Sequence, residues 1–139
     1  MGIESNSVDF VKYAIFVKAA PFSHQGASTA YLFCKAALQK GHTINRVFFY
    51  GDGALNGNAF IAPPQDETNL VTHWQQLTKQ YGVELIICVA AALRRGVLDI
   101  TEAERYEKTA ANLATGFTIS GLGQLIEASI NAERFIIFG

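Results

Sequence analysis

The chain has 139 residues and a net charge of −1 at pH 7; half of its residues are hydrophobic and 17% are charged. A chain of this length has room for one domain around one hydrophobic core, and its composition excludes an intrinsically disordered protein. The nearly neutral charge excludes a protein that binds nucleic acid by electrostatic attraction alone. No apolar stretch reaches the roughly 18 residues that span a bilayer, so the sequence predicts no membrane segment.

The start of the chain is polar and lacks the basic head and apolar middle of a signal peptide. We interpret residues 1–11 as a flexible N-terminal extension and residues 12–139 as a single folded domain. Cys34 and Cys88 lie 54 positions apart, which is neither a disulfide framework nor a metal-ligand spacing. The sequence therefore predicts no metal site and a reduced, cytoplasmic protein.

Short apolar runs alternate with helical periodicity along the domain. The predicted strands cover residues 13–17, 44–50, 83–88, 116–120 and 134–138, and the predicted helices cover 26–40, 68–81, 101–113 and 122–131. Ser23 or Ser28 is a candidate cap of the first helix, Thr101 and Glu104 have capping-box spacing, and 54–66 is interpreted as a long surface loop. Strands that are apolar on both faces predict a three-layer α/β/α domain with a mainly parallel five-stranded sheet, a flavodoxin-like variant.

Cys88 is the candidate catalytic residue. It ends the apolar run 83–88, and the alanine-rich segment after it is expected to turn back over the sheet. Ligands bind at the carboxyl edge of open parallel sheets. A helix start beside the thiol, with Arg94 and Arg95 nearby, would favour the thiolate, which is the nucleophilic form. The alternative from the local sequence is a buried cysteine that fills a gap in the core.

Arg94, Arg95 and His24 are candidate residues for binding a substrate or a partner protein. The arginines form the one adjacent basic pair in the sequence; they either dock an acidic partner or are solvated charges on a surface turn. His24 is the one histidine expected at the carboxyl edge of the sheet, and it would lie near Cys88 if the first and third strands were neighbours. No Ser-His-Asp or paired-carboxylate arrangement is present in the pattern.

Two other patterns favour packing and turn formation. Cys34 falls on the apolar stripe of the first helix, which predicts a core position. Gly121 and Gly123 follow a strand and open a helix, as phosphate-binding turns do. However, Ile126 occupies the place of the third glycine in the dinucleotide fingerprint. We therefore expect a tight turn here and no cofactor.

Several segments resemble the DsrE/DsrF family, in the order in which the family has them. The most specific is the cysteine motif ICVAAALRRGV at 87–97, and three weaker ones are VFFY at 47–50, WQQL at 74–77 and GFTISGLG at 116–123. The resemblance covers nearly the whole chain from about residue 12 to 138. It identifies residues 12–139 as a DsrE-like α/β domain.

The resemblance implies a sulfurtransferase subunit that carries sulfur as a persulfide and needs no metal or organic cofactor. Cys88 matches the sulfur-accepting cysteine of the family. The expected partners are TusB-like and TusC-like subunits in a heterohexamer, a TusA-like sulfur donor and a TusE-like acceptor. The expected pathway is 2-thiolation of the tRNA wobble uridine, or related sulfur trafficking in sulfur-oxidising bacteria.

Two other functions fit the sequence. A non-catalytic structural subunit of a hetero-oligomer would keep the fold and use Cys88 for packing alone. A flavodoxin-type module for a small ligand would use the same edge of the sheet, with the 51–58 segment and the glycines at 121 and 123 around a phosphate.

Overall fold

The computed structural model describes residues 9–139, apart from the side chains at positions 126 and 128. Most of the predicted N-terminal extension, residues 1–8, lies outside the described residues. At the start of the described part, the Val11 amide donates a hydrogen bond to His42 Nδ1 at 3.0 Å, and the Thr43 amide donates to the Val11 carbonyl at 2.9 Å. The backbone is thus already paired one residue before the first strand.

Within residues 9–139 the fold contains five strands, five α-helices and a 3-10 helix at Gly51–Gly57. The strands are β1 (Lys12–Val17), β2 (Thr43–Phe49), β3 (Glu84–Cys88), β4 (Phe117–Ser120) and β5 (Arg134–Phe138). The α-helices are α1 (Gly26–Gln39), α2 (Leu70–Tyr81), α3 (Val89–Arg94), α4 (Ile100–Arg105) and α5 (Leu122–Asn131).

The strands form one sheet in the order β4-β3-β2-β1-β5, and all four pairings are parallel. The predicted α/β fold with a parallel five-stranded sheet is confirmed. Because every strand points the same way, all five carboxyl ends lie along one edge of the sheet. That edge is where this class of fold places its ligands.

The first face of the sheet carries the main core. Alternate residues of the central strands, among them Val47 and Ile87, pack against the apolar stripes of α1 and α2. Trp74 of α2 is wholly buried, and its ring meets that of Phe49 edge-on at 5.1 Å. Large buried aromatic rings of this kind contribute much of the apolar area that stabilises a small domain.

The second face is covered more thinly. Its buried residues are Phe16, Phe48 and Ile86, and Leu125 of α5 packs against them. Toward the β5 edge, Phe135 and Ile137 stay largely exposed. The three layers are therefore unequal: one face lies under two long helices, the other under α5.

Three local predictions are wrong. The start of the surface loop predicted at 54–66 belongs instead to the 3-10 helix Gly51–Gly57, whose buried residues are Gly53, Ala54, Asn56 and Gly57. The helix predicted at 101–113 is the shorter α4, capped by Asp99, whose side chain accepts from the Glu102 amide at 2.8 Å. Helix α1 follows Gln25 with no side-chain cap, so neither Ser23 nor Ser28 serves as one.

Candidate active site

Cys88 is the last residue of β3 and immediately precedes α3. Its backbone, with φ −59° and ψ 125°, is not helical, so Cys88 is the junction between strand β3 and helix α3. The side chain is half-buried and packs against the main core on one side. A free thiol at the carboxyl edge of the sheet is thus partly sheltered and partly open to solvent.

The residues on either side of Cys88 in the sheet follow from strand register. Cys88 pairs with Ser120, the last residue of β4. On the other side Ile87 pairs with Phe49, and the extended Tyr50 follows, with its amide hydrogen-bonded to the Val17 carbonyl at 3.0 Å. Cys88 therefore lies between Tyr50 and Ser120 along the edge.

The Arg95 side chain forms hydrogen bonds that hold helix α3 beside the 3-10 helix. Its Nε donates to Asp52 Oδ1 at 2.9 Å, and its Nη1 donates to the Ala91 carbonyl at 3.1 Å. The first contact ties the end of α3 to the 3-10 helix, and the second satisfies a carbonyl of the last turn of α3. In this structure the Arg95 guanidinium is committed to those two acceptors.

Arg94 is the exposed member of the pair. Within residues 9–139 it forms no ion pair. It lines an open depression with Leu93, Tyr106 and Lys108. Its predicted role in binding a partner remains a prediction, and its charge is presented to solvent.

A buried polar network holds the 3-10 helix under the site. Asn56 is wholly buried; its Nδ2 donates to the carbonyls of Ala19 at 3.1 Å and Gly53 at 2.9 Å. The indole of Trp74 donates to Asn56 Oδ1 at 3.2 Å. The Asn56 amide uses its donors and its acceptor, so it links the segment after β1, helix α2 and the 3-10 helix without an unsatisfied polar atom of its own.

A second asparagine fixes the segment after α3. Asn112 Oδ1 accepts from the Leu98 amide at 2.8 Å, and its Nδ2 donates to the Gly96 carbonyl at 3.0 Å and to Asn58 Oδ1 at 3.1 Å. The turn that carries the two arginines is thereby joined to the end of the 3-10 helix. The segment that follows Cys88 is therefore hydrogen-bonded both to the 3-10 helix, through Asp52, and to Asn112.

Cys34 lies on the core face of α1, as predicted, and has no exposed surface. Burial raises the pKa of the Cys34 thiol from 9.0 to about 12. The group is thus protonated at neutral pH and shielded from reagents, and both conditions exclude a nucleophile.

His24 does not join the cysteine. It is exposed and lines a separate depression with Ser23, Asp66 and Glu67. The condition under which His24 would approach Cys88, adjacent first and third strands, is wrong because β2 lies between them. A role for His24 in partner binding stays a prediction, at a place apart from the cysteine.

The Gly121 and Gly123 pair opens α5 as predicted. Gly121 has φ −81°, which any residue adopts, and a side chain at either glycine would meet nothing within 4 Å. Neither conformation nor crowding within the described chain requires glycine there.

In residues 9–139 there is no group of three His, Cys, Asp or Glu side chains placed to bind a metal ion. In that same range, the helices are all too short or too polar to span a membrane.

Sequence reasoning missed Asp52, Asn56 and Asn112, which position the segments around Cys88. The pattern assigns Asp52 and Asn56 to turn or loop segments, because short polar residues near glycines are typical of turns; it places Asn112 in the helix predicted at 101–113. Asparagine side chains also bond to backbone groups that no strand or helix satisfies. The recurrence of asparagine at 56, 58 and 112 was the available signal.

The arrangement fits thiol chemistry. A partly exposed thiol at the carboxyl edge of the sheet can accept and release a thiol-bound group.

Comparisons with known proteins agree with this description. A model of the DsrE/DsrF-like family matches residues 11–138. The DsrE protein of Allochromatium vinosum, provisionally named a sulfurtransferase, is 49% identical over 129 residues, covering 93% of this chain and 99% of its own. The sulfurtransferase TusD of Salmonella dublin is 50% identical over 128 residues, covering 92% of this chain and 100% of its own.

A solved structure supports the fold alone. The crystal structure of the ychN protein from E. coli has a TM-score of 0.75 with this chain at 19% identity, covering 93% of this chain and 100% of that one. With a family match over residues 11–138 and relatives about half identical along nearly the whole chain, this protein belongs to the DsrE/DsrF-like family.

Proposed function

We propose that this protein, a sulfurtransferase by its kinship, carries the transferred sulfur as a persulfide on Cys88. The observation that supports this assignment is the contrast between the two thiols: Cys88 is partly exposed at the carboxyl edge of the sheet, whereas Cys34 is enclosed in the core. Relatives named TusD and DsrE supply the reaction class.

The proposed step is a thiol exchange without net oxidation. The Cys88 thiolate attacks the outer sulfur of a donor persulfide, so that a new sulfur–sulfur bond forms on Cys88. The sulfur–sulfur bond of the donor breaks, and the donor leaves as a thiolate that takes a proton from water. Delivery to an acceptor thiolate repeats the exchange with Cys88 persulfide as donor.

The finer role follows the TusD relatives. We infer that the donor is a TusA-like carrier, that the acceptor is a TusE-like protein, and that the sulfur serves 2-thiolation of the tRNA wobble uridine or related sulfur trafficking. The protein would work in the cytoplasm within a heterohexamer that contains TusB-like and TusC-like subunits. The net charge of −1 fits a subunit that hands sulfur to proteins and not directly to RNA.

Intact-mass measurement after incubation with glutathione persulfide tests the carrier role. The wild-type protein should gain one sulfur atom, which dithiothreitol removes. Cys88→Ser should gain none, and the matched variant Cys34→Ser should load as the wild type does. Loading retained in Cys88→Ser would overturn the assignment and leave a structural subunit as the better description.

Sedimentation with co-expressed TusB-like and TusC-like chains tests the assembly. We expect a complex that contains all three chains, and sulfur transfer from a persulfidated TusA-like protein to a TusE-like protein in its presence. Separate sedimentation of this chain at every concentration would contradict the proposed complex but would leave persulfide loading on Cys88 intact.

A further inference from the structure

A groove opens on the thinly covered second face, at the same edge of the sheet as Cys88. Its volume is about 380 Å³, and it is lined by Phe16, Lys18, Tyr50, Leu122, Leu125 and Ile137. Phe16 of β1 belongs to the buried cluster of that face, and Leu125 of α5 packs against the cluster. We call this feature the edge groove.

Strand register places two chain segments of the edge groove beside Cys88. On one side, Tyr50 follows Phe49, whose partner in β3 is Ile87, so Tyr50 is the neighbour of Cys88 on the adjoining strand. Neighbouring strands are about 4.8 Å apart. On the other side, Cys88 pairs with Ser120, two residues before Leu122. Cys88 is thus outside the groove lining but next to Tyr50, which belongs to it, so one end of the edge groove lies beside Cys88.

The lining defines the chemistry of an occupant. Tyr50, Leu122 and Ile137 are 44%, 53% and 56% exposed, which is unusual for large apolar side chains gathered at one place. Lys18 is the one charged residue of the lining, and within residues 9–139 it forms no ion pair. A small polar ligand would find few hydrogen-bond partners here. An apolar peptide segment with one carboxylate would bury the exposed side chains and pair with Lys18.

We propose that the edge groove seats the cysteine-bearing segment of the protein that donates persulfide sulfur to Cys88, and that this segment is apolar with one acidic residue. The inference rests on the proposed function, because that function requires a second protein to bring its own thiol or persulfide to Cys88. Seating the segment aligns the two sulfurs for the exchange described above: the carrier sulfur–sulfur bond breaks, the sulfur bonds to Cys88, and the carrier leaves as thiolate. The groove lowers the cost of orientation and takes no part in bond making.

Peptide persulfides provide the probe. The first peptide has two leucines and one aspartate before its cysteine; in the second, serines replace the leucines; in the third, a lysine replaces the aspartate. Second-order rates of Cys88 loading are measured by intact mass with each peptide and with glutathione persulfide. The first peptide should load about tenfold faster than the second, the effect of roughly one buried leucine contact.

Variants of exposed positions test whether the groove causes the preference. In Leu122→Ser and Ile137→Ser the advantage of the first peptide should disappear, while the rate with glutathione persulfide stays unchanged. Ile130→Ser is the matched control, because Ile130 lies on the same helix as Leu122, is 76% exposed and is outside the groove lining. Lys18→Glu should reverse the charge preference, so that the third peptide becomes faster than the first.

The outcomes separate the two proposals. If glutathione persulfide fails to load Cys88, the proposed function fails. If glutathione persulfide loads but all three peptides react at one rate, the function stands and the groove proposal is overturned. If the peptides show no preference and Leu122→Ser dissociates a self-associated form of the protein, the groove is a contact between copies of this chain, which also overturns the proposal.

Discussion

Cys34 and Cys88 carry the same thiol in two opposite settings. Cys34 lies in the middle of a long helix that faces the sheet, where burial raises the pKa of its thiol to about 12. Cys88 lies where a strand ends, half-buried, with Tyr50 and Ser120 on the adjoining strands. Residue type therefore does not decide how exposed each thiol is; position relative to the end of a secondary-structure element does.

Alkylation should separate the two thiols by the largest factor. In native protein we expect iodoacetamide to label Cys88 at least about a hundredfold faster than Cys34, because labelling of Cys34 requires transient unfolding of the core. Mass spectrometry of digests taken over time gives both rates. In denaturant the two rates should become similar, and a persistent difference there would mean that burial is not its cause.

Alkaline pH should weaken the protein through Cys34. Above about 9 the thiol ionises in the unfolded chain, whereas in the native state it keeps its proton up to about 12. The unfolded state then binds fewer protons, so the free energy of unfolding falls as pH rises between these values, by at most about 1.4 kcal/mol per pH unit from this group.

Denaturant unfolding of wild type and Cys34→Ala at several pH values checks that expectation. The difference between the two proteins should be constant below pH 9 and should shift in favour of Cys34→Ala above it. Cys88→Ala is the control and should track the wild type more closely. Between pH 9 and about 11 the thiol of residue 34 should ionise in the unfolded chain alone. Parallel curves for wild type and Cys34→Ala over that range would contradict a protonated Cys34 in the native state.

Cys34→Ser should lower the free energy of unfolding on the order of 1 kcal/mol or more, because it places a hydroxyl among apolar groups. Cys88→Ser should change it by less than about 0.5 kcal/mol, since the side chain is partly exposed. Urea unfolding monitored by Trp74 fluorescence measures both. Equal losses would remove the distinction between a core thiol and an edge thiol.

Arg95→Ala should have the smallest effect on the contrast between the Cys34 and Cys88 thiols. The Arg95–Asp52 pair is partly exposed, and such pairs contribute about 0.2–1 kcal/mol. We expect that loss in unfolding free energy, with persulfide loading on Cys88 retained. Asp52→Asn is the matched variant from the other side of the pair; a loss of loading in both would assign the pair a role beyond holding α3.

The sequence was most informative where the burial pattern alone decides the structure. The bounds of α5 and β5 agree with the prediction, because their apolar spacing is regular and their flanks are glycine or polar residues. The position of Cys88 at a strand end also followed from its apolar run. Burial patterns do not say which strands are neighbours. The first and third strands are not adjacent, so the condition for a closeness of His24 and Cys88 is not met.

Interactions between distant polar residues were beyond the local pattern. Asn56 bonds to Trp74 and Ala19, which are 18 and 37 positions away in sequence. Asn112 reaches Asn58 across 54 positions. Each pairing depends on the folded geometry, so short windows assign Asn56 and Asn58 to a loop and Asn112 to the helix predicted at 101–113.

The position of α5 and β5 at the end of the fold has a consequence for synthesis. The ribosome releases residues 122–139 after the rest of the domain, yet α5 covers Phe16 and Phe48, and β5 pairs with β1. Until those residues emerge, the nascent chain presents an uncovered apolar face and an open edge on β1 to other chains. Delay at this stage, by rare codons or by truncation near residue 121, should therefore direct the protein to chaperones or aggregates before its cysteine is ever used.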